Sequence, residues 1–142
     1  MRLGTAVTDP SQQFASPLEN YTRRGAEQDS RYFRELAYRE RPVLFVVGLP
    51  LHLSGDESPK SREARRFGAW LTELTSVPVV FFDERFTSTE AAQLLAAGGL
   101  TKKKRQARLD MLAAQILLSA YLESPDRGQP MLDQPPPTSL SD

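Results

Sequence analysis

The chain of 142 residues has no cysteine and a single histidine, His52. No disulfide can form, and neither a thiolate nor an imidazole cluster can be built, so any metal ion must be held by oxygen ligands. No apolar run approaches the roughly 20 residues needed to cross a bilayer, and the N-terminus lacks an apolar secretion segment. The sequence therefore predicts a cytoplasmic protein with no membrane partner. A glycine-rich phosphate loop of the Walker type is missing, which argues against an NTPase. Charge of one sign is missing too: 18 Lys and Arg balance 18 Asp and Glu, so global charge does not announce a nucleic-acid partner.

What is present fits one domain. Apolar residues make up 39% and charged residues 25% of the chain, an ordinary globular balance, and a chain of this length buries about two-thirds of its unfolded surface. The composition predicts a folded domain over 1–123. After it, 124–142 holds Pro125, Pro130 and Pro135-Pro136-Pro137 among polar residues and reads as a disordered tail. The charge is unevenly placed: Lys102-Lys103-Lys104-Arg105 with Arg108 forms one basic block, and Lys60, Arg62, Arg65 and Arg66 form another. Such blocks are either solvated faces or phosphate-neutralising patches.

Strands and helices are predicted to alternate. Residues 3–8 read as a strand closed by Asp9-Pro10, and 14–22 as a second strand in which Pro17 argues for an edge position. Asp29 or Ser30 is expected to cap a helix reaching about Arg39, with Tyr32, Phe33, Leu36 and Ala37 on one face. The apolar run 43–47 suits a strand covered on both faces and central in its sheet, with Gly48-Leu49-Pro50-Leu51 leaving it. Ser58-Pro59 is a cap followed by proline at the first helical position, and Ala64, Phe67, Leu71 and Leu74 repeat at helical spacing. Trp70 and Phe67 are expected to be packing residues. Pro78 opens the strand 79–82. Thr87-Ser88-Thr89-Glu90 matches a capping box, predicting a helix over 88–97 stopped by Gly98-Gly99. A last helix over 102–122 has Leu109, Leu112, Ala113, Ile116, Leu117, Ala120 and Tyr121 on its apolar face.

Two acidic features stand out on this frame. Asp83-Glu84-Arg85 follows the apolar strand Val79-Val80-Phe81-Phe82, and Asp110 lies at the border of the last helix's apolar face, directed toward the sheet edge. Acids so placed cost desolvation free energy unless a cation or hydrogen bonds compensate them. Metal-dependent nucleases arrange carboxylates in this way, though usually with at least three around the ion. The plainer alternatives are a helix-start acid for Glu84 and a salt bridge to Lys103 or Lys104 for Asp110. Gly48 and Pro50 shape the loop after a strand, where ligands commonly sit in open α/β sheets, although a tight turn needs the same residues. His52 in that loop is more often merely solvated than functional.

Four segments in order resemble the YqgF family, also called RuvX, of RNase H-like proteins. They are Leu3-Gly4-Thr5-Ala6-Val7-Thr8-Asp9; Val46-Val47-Gly48-Leu49-Pro50-Leu51 with Gly55; Asp83-Glu84-Arg85 with Thr87-Ser88; and Asp110 with Ala113-Ala114, Leu117-Leu118 and Tyr121-Leu122. The resemblance implies an α/β, RNase H-like mixed sheet flanked by helices. It also implies a preceding strand with an Asp-x-Gly motif that would lie ahead of Met1, so the first, central strand and its metal-binding aspartate are expected to be missing from this chain. Ser119 stands where glutamine is common in the family.

By the same resemblance, Glu84 and Asp110 are the expected catalytic and metal-binding acids, with Mg²⁺ or Mn²⁺ as cofactor. Asp83 is expected to tie the strand end to backbone donors. Arg85 is expected either to pair with Asp83 or to hold a phosphate in its fork, and Arg85, Lys102, Lys103, Lys104, Gly48 and Pro50 are the expected substrate-binding residues. The implied activity is endonucleolytic processing of the 5′ end of a 16S ribosomal RNA precursor in ribosome biogenesis. Two alternatives stay open: an inactive nucleic-acid-binding or ribosome-assembly protein, because the first aspartate is absent, and a Holliday junction resolvase. The expected partners are accordingly structured RNA or branched DNA, and a homodimer is compatible with either.

Overall fold

A computed structural model of the protein describes residues 2–86 and 101–125. The expected helix over 88–97 and nearly all of the expected tail lie outside the described residues. Within them runs a mixed α/β fold in which helices flank the strands: β1 (Arg2–Thr8), β2 (Ala15–Thr22), α1 (Ala26–Glu40), β3 (Phe45–Leu49), α2 (Pro59–Thr75), β4 (Val79–Asp83), a single 3₁₀ turn (Glu84–Phe86) and α3 (Lys102–Glu123).

Strands β1 and β2 form an antiparallel hairpin whose register slips between Thr5 and Ala6, opposite Pro17. Proline has no amide hydrogen to give the ladder, so a bulge at that point is the physical consequence. Asp9 closes the turn, accepting from the backbone amides of Gln13 and Phe14 at 2.8 Å each. β3 and β4 form a parallel pair in register from Phe45 opposite Val79 to Leu49 opposite Asp83.

Three expectations need correction. β3 starts two residues later than the apolar run, because the amide of Phe45 pairs with the carbonyl of Pro78 at 2.9 Å and the ladder begins there; Val43 is left exposed. Gly48 and Leu49 consequently belong to the strand and not to the loop after it. Nor is β3 central among the described residues, where its one strand partner is β4. Finally, α1 begins at Ala26 with Gly25, at φ 125°, as its cap. Asp29 does not cap because its carboxylate is taken by Tyr21 Oη at 2.6 Å, Arg23 Nε at 3.0 Å and the amide of Arg24 at 2.9 Å.

α2 starts as its sequence predicts. Ser58 Oγ accepts from the amide of Ser61 at 2.9 Å, Ser61 Oγ accepts from the amide of Ser58 at 2.7 Å, and Pro59 follows the cap. The core lies between α1, α2 and the β3–β4 pair: Phe33, Leu36, Leu49, Leu71, Val79 and Phe81 are its buried members. Gly68 lets α2 approach the strands closely, since a Cβ there would collide with the ring of Phe81. Phe67 and Trp70 pack edge-on and tilted around Phe33, with ring centroids 5.6 to 5.9 Å apart. The hairpin joins this core through Tyr21, stacked on Tyr32 of α1 at 3.9 Å.

α3 binds the two strand pairs into one body. Its middle lies against β1 and β2, with Gln115 donating to the carbonyl of Ala15 at 3.0 Å, and its end meets β4, where Tyr121 packs edge-on to Phe82 at 5.9 Å.

Candidate functional site

The first acid sits where a parallel strand ends. Glu84 directly follows β4, and its carboxylate rests on the backbone of Gly48 in β3, where an added Cβ would strike Oε2. Glycine at this point is what lets the acid lie across the neighbouring strand. The residue as a whole is exposed, while the atoms packed around its carboxyl end shield that end in part from solvent. Burial raises its pKa above the ordinary value, the charge of Asp83 adds to the rise, and Lys60 opposes it. A carboxylate in such surroundings gains more than a solvated one from a cation.

Asp83 is structural. It is 4% exposed and accepts from the amide of Arg85 at 2.9 Å and from the Arg85 guanidinium through Nε at 2.8 Å and Nη2 at 2.5 Å. Burial raises its pKa, but those hydrogen bonds outweigh burial and leave it below the ordinary value. The remaining arm of the guanidinium, Nη1, donates to the carbonyl of Leu53 at 3.1 Å. Arg85 thus spends its fork on Asp83 and on the loop after β3.

The second acid is Asp110 on α3, its side chain 19% exposed. Oδ2 accepts from Arg2 Nε at 2.9 Å and from Asn20 Nδ2 at 3.0 Å, and Oδ1 from Gln106 at 3.4 Å. Among the described residues its ion pair is with Arg2, not with Lys103 or Lys104. Gly4 makes the placement possible: the backbone of Asp110 presses on it so closely that no side chain could be added. Asp110 precedes Tyr121, the residue that meets β4, by about 16 Å of helix.

The expected substrate contacts are distributed over both regions. Lys102, Lys103 and Lys104 are exposed on the first turn of α3, which Thr101 caps by accepting from the amide of Lys104 at 3.2 Å. Pro50 follows β3 and its carbonyl accepts from Ser58 Oγ at 2.6 Å. His52 is exposed, and its amide donates to the carbonyl of Asp56 at 2.9 Å. Among the described residues no group of three or more His, Asp or Glu side chains comes together as a metal centre. A cavity of about 350 Å³ at the start of α1, lined by Arg23, Gly25, Ala26, Asp29, Glu63 and Trp70, shares no residue with either acid. Sequence reasoning missed Arg2 and Asn20 beside Asp110 and Lys60 beside Glu84; the first two lie 108 and 90 residues away in the chain and carry no local signal.

Comparison with known proteins adds a second line of observation. Residues 1–124 match the family described as "RuvX: Holliday junction resolvase". A "Putative pre-16S rRNA nuclease" of Rhodopirellula baltica is 47% identical over 124 residues, covering 87% of this chain and 72% of the relative. Proteins with the same description from Koribacter versatilis and Syntrophomonas wolfei are 39% and 34% identical, covering 92% and 90% of this chain and 86% and 91% of their own lengths.

Proposed function

This chain belongs to the RuvX family, and on that premise we propose that it is an endonuclease of structured RNA, acting near the 5′ end of a 16S ribosomal RNA precursor. The observation that carries the proposal is Glu84, a partly shielded carboxylate seated on Gly48 at the end of two parallel strands. That is the end of an open α/β arrangement at which ligands are characteristically bound.

Both acids suit a hard divalent ion in their chemistry. Glu84 has a carboxylate whose charge is disfavoured by its surroundings, and Asp110 already holds a cation, the half-exposed guanidinium of Arg2. Glu84 and Asp110 would be its ligands, with Mg²⁺ or Mn²⁺ supplying charge stabilisation at the phosphate and a more acidic water. The chain's own residues do the rest. Lys102, Lys103 and Lys104 neutralise backbone phosphates on the approach to Asp110. Arg85 keeps Asp83 paired and the loop at Leu53 in place, so that Glu84 is presented on a fixed strand end. Gly48 leaves the space that the acid occupies, and Pro50 and Ser58 anchor the loop beside it.

The test is cleavage of a precursor 16S RNA fragment in Mg²⁺ by the full chain and by Glu84→Gln and Asp110→Asn. Loss of cleavage in both variants, with RNA binding kept, is the expected result. Metal-dependent cleavage persisting in Glu84→Gln overturns the assignment.

One observation favours a second reading, a nucleic-acid-binding protein without catalysis. Asp110 Oδ2 is shared by Arg2 and Asn20, so the acid can serve as a structural acceptor. That reading predicts salt-dependent RNA binding through the basic turn of α3 and no turnover in any divalent metal.

A further inference from the structure

Among the described residues, four large apolar side chains are strongly exposed: Phe14, Tyr38, Val43 and Leu53, the last at 93%. Isolated exposed apolar residues are commonplace. Leu53 differs in how its backbone is held. It sits at the tip of the loop between β3 and α2, which is closed by hydrogen bonds from the His52 amide to the carbonyl of Asp56 at 2.9 Å and from the Gly55 amide to the carbonyl of His52 at 2.8 Å. Gly55 makes the turn at φ 95°. Ser58 Oγ fastens the base of the loop through the carbonyl of Pro50 at 2.6 Å. The Leu53 carbonyl itself is gripped by Arg85 Nη1 at 3.1 Å, and the same guanidinium lies beside Gly55.

The gripping residue is the immediate neighbour of Glu84, and its other arms are locked on buried Asp83. The loop tip is therefore fixed to the same strand end that presents Glu84. The loop's chemistry does not suit phosphate. The stretch Leu51-His52-Leu53-Ser54-Gly55-Asp56-Glu57 carries two acids and no Lys or Arg, and so repels a sugar-phosphate backbone. What it offers a nucleic acid is one apolar side chain on a preorganised backbone, which loses little freedom on binding.

Building on the nuclease reading, we propose that Leu53 is a wedge that packs on the face of a base at a junction between duplex and single strand, and that Arg85 is the positioning residue that holds this wedge in register with Glu84. Leucine inserted at a base step unstacks it, and apolar wedges of this kind select sites where unstacking is already cheap. Such a wedge would favour a junction over a continuous duplex within the substrates the nuclease reading already allows.

The experiment uses the full chain, with Ca²⁺ in place of Mg²⁺ to prevent cleavage, and an RNA hairpin with a 5′ single-stranded extension. 2-Aminopurine is placed at each position across the junction in turn. The expected result is a fluorescence rise confined to one or two junction positions, lost in Leu53→Ser, kept in Leu53→Phe, and spread over neighbouring positions in Arg85→Lys. A purely structural role for Arg85 would leave the position of the rise unchanged, because an Arg85→Lys protein that folds and binds would read the same base. If the wild-type chain binds the hairpin without a localised rise, or Leu53→Ser keeps it, the wedge is overturned while the nuclease reading stands. If the wild-type chain binds neither the hairpin nor its unpaired strand, the nuclease reading itself fails and takes the wedge with it.

Discussion

Arg2 Nε donates to Asp110 Oδ2 at 2.9 Å, joining the first strand to the last helix. The pair is half exposed on the arginine side, a setting in which such a bond contributes only about 0.2–1 kcal/mol. It neutralises the acid without fixing it strongly, and a better cation can displace it.

Replacing Arg2 tests that competition. Arg2→Ala removes the guanidinium from Asp110, so Mn²⁺ should bind more tightly by a factor of about 1.4 to 5, the range that a half-exposed ion pair supplies. Titration of Mn²⁺ by its paramagnetic signal checks this. Unchanged affinity would mean that Asp110 is not among the ion's ligands.

Gly48→Ala separates the site from the fold. The new methyl group collides with the Glu84 carboxylate, the far end of a flexible side chain that can swing away. Stability should shift by less than about 1 kcal/mol in either direction, whereas cleavage should fall about a hundredfold because the acid is displaced. Thermal denaturation beside a cleavage assay measures both.

Gly4→Ala should behave in the opposite way. Its methyl group meets the backbone carbonyl of Asp110, which belongs to a helix and cannot rotate aside. Overpacking of this kind costs about 1–3 kcal/mol or more. A lowered midpoint in urea is the expected outcome, and a wild-type midpoint would show that α3 does not press on β1 as described.

Acid should unfold the protein through Asp29 and Asp83. For each, burial raises the pKa but hydrogen bonds prevail: those from Tyr21, the Arg24 amide and Arg23 at Asp29, and those from the Arg85 side chain and amide at Asp83. A depressed carboxylate contributes stability that is present above its unfolded value, 3.8 for Asp, and is lost as pH falls through the folded one. Glu84 acts in the other sense, since its raised pKa means that protonation relieves the folded state. The urea midpoint should therefore fall as pH drops below about 4, and the slope should flatten in Asp83→Asn. A slope identical to the wild type would exclude Asp83 as a contributor.

Much of the local structure was legible in residue order. The Ser58-Pro59 start of α2, the strand after Pro78, the limits of α3 and the packing of Phe67 and Trp70 follow from caps, prolines and periodicity, which act over a few residues. Asp29, like Ser30, is of a type that suits a helix cap, and only the approach of Tyr21 and Arg23 gives the Asp29 carboxylate a better use. An apolar run specifies burial but not pairing register, which the partner strand decides, so β3 begins two residues after the run does.

The sequence alone determined the chemistry available: oxygen ligands only, one acid at a strand end and one within the last helix, a basic helix start and the family likeness in four ordered segments. Tertiary structure decided what each group meets. It set Glu84 on Gly48, Asp110 on Arg2 and Asn20, and Arg85 on Asp83 and the Leu53 carbonyl. The Glu84 and Asp110 contacts join residues far apart in the chain, as does the reach of Arg85 to Leu53. They arise from the close approach of backbones at two glycines and from the lie of α3 across both strand pairs, and no local rule of propensity or spacing encodes that approach.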